Sequence, residues 1–291
     1  MKTGKKIVLL VSMIIFLSGV ALSTVSACMI NFDFSKLDVN EYITKTAEVT
    51  EQFGNIEINT VSKNVIFRQT SDKTCRIEYT ESSGHKFRIE VKDDTLFIDS
   101  DFESNLLHGL NFFDFSFIHG DNIIVYLPDN YKTLKVSTVS GDIRTESKEI
   151  EFDKVSLHTT SGDIKCEASF SDLSAETVSG DINIRNSDDD KHAPVSIKTV
   201  SGDITLAHGG ISELDINTTS GDVRLDRAAF ENGKISTVSG DVKGSVNGEY
   251  KITTHTVSGD ISVPSFADSA NKLEISTTSG DVTMHNSMHN S

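Results

Sequence analysis

Apolar and polar residues alternate with a period of two over most of this chain, and the alternation recurs in blocks anchored by one hexapeptide, T-[VT]-S-G-D-[IV]. Its copies start at Thr138, Thr159, Thr177, Thr199, Thr218, Thr237, Thr256 and Thr277, at intervals of 21, 18, 22, 19, 19, 19 and 21 residues. Four residues before the motif Thr stand Leu134, Val155, Leu173, Val195, Leu214, Gly233, Ile252 and Leu273; two before it stand Val136, Leu157, Ala175, Ile197, Ile216, Ile235, Thr254 and Ile275. Five residues after it come Ile143, Ile164, Ile182, Ile204, Val223, Val242, Ile261 and Val282, and seven after it Thr145, Cys166, Ile184, Leu206, Leu225, Gly244, Val263 and Met284. Strand alternation then directs the even positions inward up to the motif, including the motif Thr and Ser, and the odd positions inward after it. A straight strand cannot switch faces, so the pattern predicts a corner at Gly-Asp, with glycine supplying permissive dihedral angles.

A period near 20 is one coil of a solenoid and too short for a propeller blade or a helical-repeat pair. The fold expected is all-β: a parallel β-solenoid, or β-helix, whose like residues stack about 4.8 Å apart in apolar columns and hydroxyl columns. Polar and Gly signals such as Asn247-Gly248 mark a second corner. Thr60-Val61-Ser62-Lys63-Asn64-Val65, with Ile56, Ile58 and Phe67, fits the same register as a degenerate ninth copy. Between it and Thr138, strand-like runs at 74–80, 86–92, 95–99 and 122–127, the middle pair joined by a turn at Asp93-Asp94, read as a capping region over the solenoid's first edge. Phe112, Phe113, Phe115 and Phe117 crowd one short segment of it and are read as core or cap filling, with a lipid- or partner-contacting patch as the alternative.

At the N-terminus, Lys2, Lys5 and Lys6 precede 24 uncharged, largely apolar residues from Ile7 to Ile30. A stretch of that length reaches about 36 Å as a helix and enters a membrane, and the cationic flank keeps the N-terminus inside and sends the rest outside. Three outcomes stay open: an uncut spanning anchor, a lipoprotein signal in which Val25-Ser26-Ala27-Cys28 makes Cys28 the lipidation candidate, or simple secretion. The domains expected are residues 1–30 as anchor or lipoprotein signal, 31–133 as the N-terminal β region, 134–284 as the repeat domain and 285–291 as a tail, the last from the doubled MHNS.

Composition agrees with strands: 37 Ser and 27 Thr against three Pro and no Trp. The formal net charge of −16 repels phosphate backbones and excludes nucleic acid as a default partner. Three cysteines, Cys28, Cys75 and Cys166, form neither a disulfide framework nor a zinc motif. No nucleophile elbow, P-loop, dinucleotide fingerprint or H-E-x-x-H occurs, so no catalytic residue and no cofactor is expected. The one ordered constellation is the column Asp142, Asp163, Asp181, Asp203, Asp222, Asp241, Asp260 and Asp281. Adjacent carboxylates 4.8 Å apart in water repel by about 0.9 kcal/mol before screening, a cost tolerable where each accepts a backbone N–H at its own corner. Calcium bridging between coils, helped by Asp188, Asp189 and Asp190, is the alternative, since hard oxygen ligands suit that ion.

With the apolar N-terminal segment, N-F-D-F-S-K-L at 31–37, V-Y-L-P at 125–128 and the iterated coils, the chain resembles a bacterial family of membrane-anchored proteins of unknown function that are conventionally labelled adhesins. The resemblance implies an anchored extracytoplasmic β-solenoid, sometimes associated with envelope-stress systems, and no catalytic residue. The function expected is non-enzymatic: a cell-envelope or surface protein held in the membrane by residues 7–30 that presents the solenoid to a cell-wall or protein partner. The alternatives are an envelope-stress accessory or sensory component that binds a membrane protein, and a glycan-acting β-helix enzyme.

Overall fold

The computed structural model describes residues 43–81, 86–100, 122–128, 131–185, 192–264, 266 and 268–287. The anchor segment, Cys28, the four phenylalanines from Phe112 to Phe117, Asp188 to Asp190 and the second MHNS lie outside them. Among the described residues the regular structure is strand, with no α-helix. The first strands are β1 (Ile43–Val49), β2 (Asn55–Asn59), β3 (Asn64–Gln69), β4 (Cys75–Glu81), β5 (Phe87–Lys92), β6 (Thr95–Ser100), β7 (Asn122–Leu127) and β8 (Tyr131–Ser137). Next come β9 (Ile143–Thr145), β10 (Glu151–His158), β11 (Ile164–Cys166), β12 (Ser169–Phe170), β13 (Leu173–Glu176), β14 (Ile182–Arg185), β15 (Ala193–Lys198) and β16 (Ile204–Ala207). The last are β17 (Ile211–Asn217), β18 (Val223–Ala228), β19 (Phe230–Ser236), β20 (Val242–Val246), β21 (Lys251–His255), β22 (Ile261–Ser262), β23 (Lys272–Ser276) and β24 (Val282–Asn286).

The strand before each motif lies in one sheet and the strand after it in a second. Sheet A runs β1-β4-β7-β3-β9-β11-β14-β16-β18-β20-β24-β22, and sheet B runs β21-β23-β19-β17-β15-β13-β10-β8-β2-β6-β5. Pairing between successive coils is parallel and in the register of the sequence columns: Leu134 beside Val155, Val155 beside Leu173, Ile143 beside Ile164 and Ile164 beside Ile182. The columns bury between the sheets; Leu134, Val136, Ile197, Ile204, Ile216 and Ile235 are fully covered. Each residue there loses its whole apolar surface to water, worth about 1.5–3 kcal/mol per large side chain.

Two features of the core were not in the alternation. Phe152, Phe170, Ile211 and Phe230 form a further buried column seven residues before the motif Thr, an odd offset where the other columns are even. Two successive outward residues, such as Asp153-Lys154, shift the strand between the columns. Tyr250 continues this layer six residues before Thr256; its hydroxyl donates to the Phe230 carbonyl and accepts the Phe230 N–H, both at 2.8 Å.

The coils also do not stack in chain order at either end. The layer of β2 and β3 sits between that of β8 and β9 and that of β6 and β7, while the C-terminal layer of β23 and β24 is inserted between β19/β20 and β21/β22. Ile56 beside Leu134 and Val65 beside Ile143 place the degenerate copy in register. The stretch read as wholly non-repetitive therefore contributes a further solenoid layer through β6 and β7. From the same stretch β5 runs antiparallel on β6 and β4 antiparallel on β7, outside that layer, and β1, from before the degenerate copy, pairs antiparallel with β4. Asp93 and Asp94 take φ of 49° and 62° in the β5–β6 turn, the left-handed pair that a two-residue hairpin requires. The first MHNS is not tail: β24 continues through Asn286, with Met284 and Asn286 buried.

Candidate functional site: the repeated Thr-x-Ser-Gly-Asp corner

Each motif makes the corner between sheets, and its parts divide the work differently from the sequence expectation. The motif Thr is buried as expected in every copy except Thr256, which is half-buried, but the motif Ser is exposed in every copy from Ser140 to Ser279. The face switch thus occurs across the second and third motif positions, which both point outward, and the glycine points inward. Nor does glycine serve through its dihedrals: among the motif glycines only Gly259 has positive φ, at 153°. It serves through space. A Cβ on Gly162, Gly180, Gly202 or Gly221 would lie 1.8–2.0 Å from the carbonyl oxygen of the glycine in the preceding coil. The glycine column is the closest approach of neighbouring coils, and no side chain fits.

The threonine hydroxyl closes this contact. Thr159 Oγ1 accepts the Gly162 N–H at 3.1 Å and donates to the Gly141 carbonyl of the preceding coil at 3.1 Å. Thr177 donates likewise to Gly162 at 3.1 Å, Thr199 to Gly180 at 3.4 Å and Thr277 to Gly240 at 3.3 Å. Thr218 and Thr237 occupy the same place with hydroxyls that lack a hydrogen-bond partner.

The aspartates form a ladder between coils and not a set of self-capped turns. Asp142 Oδ1 accepts the Asp163 N–H at 3.0 Å; Asp163 accepts from Asp181, Asp181 from Asp203 and Asp203 from Asp222, each at 2.9 Å. Asp222 accepts from Asp241 and Asp241 from Asp281 at 2.8 Å, and Asp281 from Asp260 at 2.9 Å. The ladder begins at Asn64, whose Oδ1 takes the Asp142 N–H at 2.8 Å, so the hydrogen bond requires a carbonyl-type oxygen and not a charge. Arg144 bonds Asp142 at 2.8 Å, and Lys243 bonds Asp241 at 2.6 Å. Lys243, then the Asp281 N–H, hold the Asp241 carboxyl below its usual range. One oxygen of each carboxylate from Asp142 to Asp241, and of Asp281, is therefore committed to the backbone. Among the described residues no cluster of three or more His, Cys, Asp or Glu is arranged to hold a metal ion.

Outside this ladder runs a row of outward β-branched residues, all exposed except the half-buried Thr160: Val61, Val139, Thr160, Val178, Val200, Thr219, Val238, Thr278 and Val257 in stacking order. Their valines are 44–84% exposed, with Val257 the most. The described cysteines offer no reactive thiol: burial pushes Cys75 up to about 12 and Cys166 to about 11.

A two-sheet stack of parallel layers joined by one repeated corner defines a β-solenoid repeat protein. Residues 53–291 match the model of the family Toastrack DUF4097, and the chain belongs to that family. No curated protein matches the chain. Among solved structures, one from Parabacteroides distasonis, described as a "putative lipid binding protein", aligns at 14% identity and TM-score 0.50 over 83% of this chain and 96% of that one. Another, from Bacteroides fragilis, described as a "putative adhesin", aligns at 16% identity and TM-score 0.38 over 84% and 97%. A "putative cell adhesion protein" from Clostridium sporogenes aligns at 10% identity and TM-score 0.29 over 84% and 100%. The first of these shows a shared all-β fold.

Proposed function

We propose that the protein is a non-enzymatic component of the cell envelope, tethered to the membrane through residues 7–30 with the rest of the chain extracytoplasmic, and that it presents its solenoid to another macromolecule. The observation that carries this reading is the exposed Val/Thr row, in register over nine layers and about 38 Å long at 4.8 Å per step. Such a row offers many equivalent weak contacts to an extended partner, whereas catalysis requires a concave site where different polar groups converge. On this reading the antiparallel strands β1, β4 and β5 serve as a cap that protects the membrane-proximal end from edge pairing.

The test is the triple variant Val200→Lys, Val238→Lys, Val257→Lys. It is expected to fold normally and to lose co-sedimentation with isolated cell-envelope material; undiminished association by the folded variant rejects this face. Turnover of a glycan or peptide by the purified protein overturns the non-enzymatic reading. Tethering is tested separately, by protease accessibility of residues beyond 30 in spheroplasts and by Cys28→Ser. Loss of acyl labelling with precursor accumulation marks a lipoprotein, and unchanged mass and membrane retention mark a spanning anchor.

A further inference from the structure

The outer face of sheet B changes character along the stack. Along the middle of the stack the lysines are matched: Lys135 lies 2.9 Å from Glu57, Lys154 2.9 Å from Asp172 and Lys198 3.0 Å from Glu176. In the last layers Lys234, Lys251 and Lys272 are exposed and form no ion pair among the described residues. The register sets Lys251 directly beside Lys272, with Asn232 on the other side of Lys272. Two ammonium groups therefore stand abreast on adjacent strands, an arrangement that destabilises a sheet.

The same residues line an open groove of about 770 Å³, together with Glu213, Asp215, Thr253 and Glu274. Asp215 is already engaged, its Oδ1 accepting from Asn217 Nδ2 at 3.0 Å. The three lysines of the groove are balanced by three carboxylates, but Lys234 stands between Asp215 and Glu274, whereas Lys251 and Lys272 stand together without an ion-pair partner among the described residues. In a chain of net charge −16 they concentrate positive charge at one point of a concavity, at the end of the stack opposite β1, that suits a single anionic group. Glu213 and Glu274 beside it repel a ligand with closely spaced charges and accept hydrogen bonds from hydroxyl groups.

We infer that this groove binds an oxyanion-bearing glycan, with a carboxylate or phosphate between Lys251 and Lys272 and sugar hydroxyls on Asn232, Thr253 and Glu274. The inference rests on the proposed contact with envelope macromolecules and names the class of ligand and the site. Both oxyanions satisfy the same chemistry, a single negative group separated from the next by neutral polyhydroxyl units.

The test uses the full chain in detergent and fluorescence anisotropy with three labelled probes: an oligogalacturonate, a glycosylated glycerol-phosphate oligomer and a neutral galactose oligomer. At least one acidic probe is expected to bind, and which one identifies the anion. Lys251→Gln with Lys272→Gln is expected to weaken that binding about tenfold or more, the loss of charge-assisted hydrogen bonds, while Lys135→Gln with Lys154→Gln leaves it unchanged. The first pair is also expected to raise the melting temperature, because it relieves like-charge repulsion; a purely structural role would lower it. No binding of either acidic probe, equal binding of the neutral one, or equal binding by the Lys251/Lys272 variant overturns the site. If that variant fails to bind the acidic probe yet still co-sediments with envelope material, the site stands and another face holds the envelope. Loss of co-sedimentation only in the valine triple variant, with glycan binding intact, separates the two surfaces.

Discussion

The two ends of the stack solve the edge problem in opposite ways. At one end β5 and the β4–β1 pair lie antiparallel outside the last layer, and the Tyr79 and Phe87 rings meet across the sheets with centroids 4.7 Å apart. Behind them Leu96, Ile98, Ile123 and Val125 are fully buried. At the other end nothing among the described residues lies beyond β21 and β22, and the inward columns of that layer surface: Ile252 and Thr254 are half-buried and Ile261 is 46% exposed. The same column position is thus core at one end and surface at the other. The lesson is that in a one-dimensional stack the sequence motif sets the register, while the neighbour on each side sets the energy.

The largest test of that contrast is a buried charge. Ile98→Asp or Ile216→Asp is expected to cost several kcal/mol and abolish folding, whereas Ile261→Asp costs under about 1 kcal/mol, by thermal or denaturant unfolding. Equal loss at both ends would sink the assigned burial.

Next comes the glycine column. Gly202→Ala, whose Cβ would fall 1.8 Å from the Gly180 carbonyl with a coil on each side, is expected to destabilise by about 2–3 kcal/mol or more. Gly259→Ala meets a comparable contact, 2.1 Å from the Gly280 carbonyl, but its layer has a neighbour on one side only and can shift away, so the steric part of the loss is expected to be smaller, while the φ of 153° adds a backbone cost that Gly202 does not carry. A loss at Gly259 as large as that at Gly202 would place its cost in the backbone and not in the contact between coils.

Smaller again is the aspartate ladder. Asp203→Ala removes an acceptor from the Asp222 N–H and is expected to cost about 1 kcal/mol, while Asp203→Asn, which copies the natural Asn64, is expected to be close to neutral. At the open end Asp260 accepts from no further coil, so Asp260→Ala is expected to leave stability unchanged. A large effect at Asp260 would require a partner beyond the last layer.

The smallest effect is electrostatic. Lys243 first, then the Asp281 N–H, depresses the Asp241 carboxyl below its ordinary value in an unfolded chain. Its contribution is therefore complete above that unfolded value and is lost as pH falls through the lower folded one. Lys243→Gln is expected to move the acid-unfolding midpoint slightly upward, within the screening that an exposed pair suffers; no shift would remove this pair from the acid response.

The columns at two and four residues before each motif were legible because alternation survives there, and so was the aspartate column, because identical residues at one period must stack. Phe152, Phe170 and Phe230 were not, since the outward pair between them and the next column breaks the parity on which the reading depends. The exposed serines and the steric role of the glycines were hidden for a related reason: a corner two residues wide looks from sequence like a strand followed by a glycine turn. The layer order at the ends carries no local signal, because every coil offers the same edge to every other. The Lys251/Lys272 pair does not depend on that order, since β21 adjoins β23 in strict chain succession too; the inserted order instead sets Asn232 beside Lys272 and leaves Lys251 at the open end.

The insertion of the last coil between two earlier ones has a bearing on synthesis. While the chain is being extended, residues 251–262 lack the layer they rest on, because β23 and β24 are still unmade. The edge of β19 and β20 stays open until β23 and β24 arrive, and their entry then completes two layers at once. A molecule truncated before β23 is thus left with β21 and β22 unpaired on both sides and the edge of β19 and β20 open, which makes it more prone to edge pairing and aggregation.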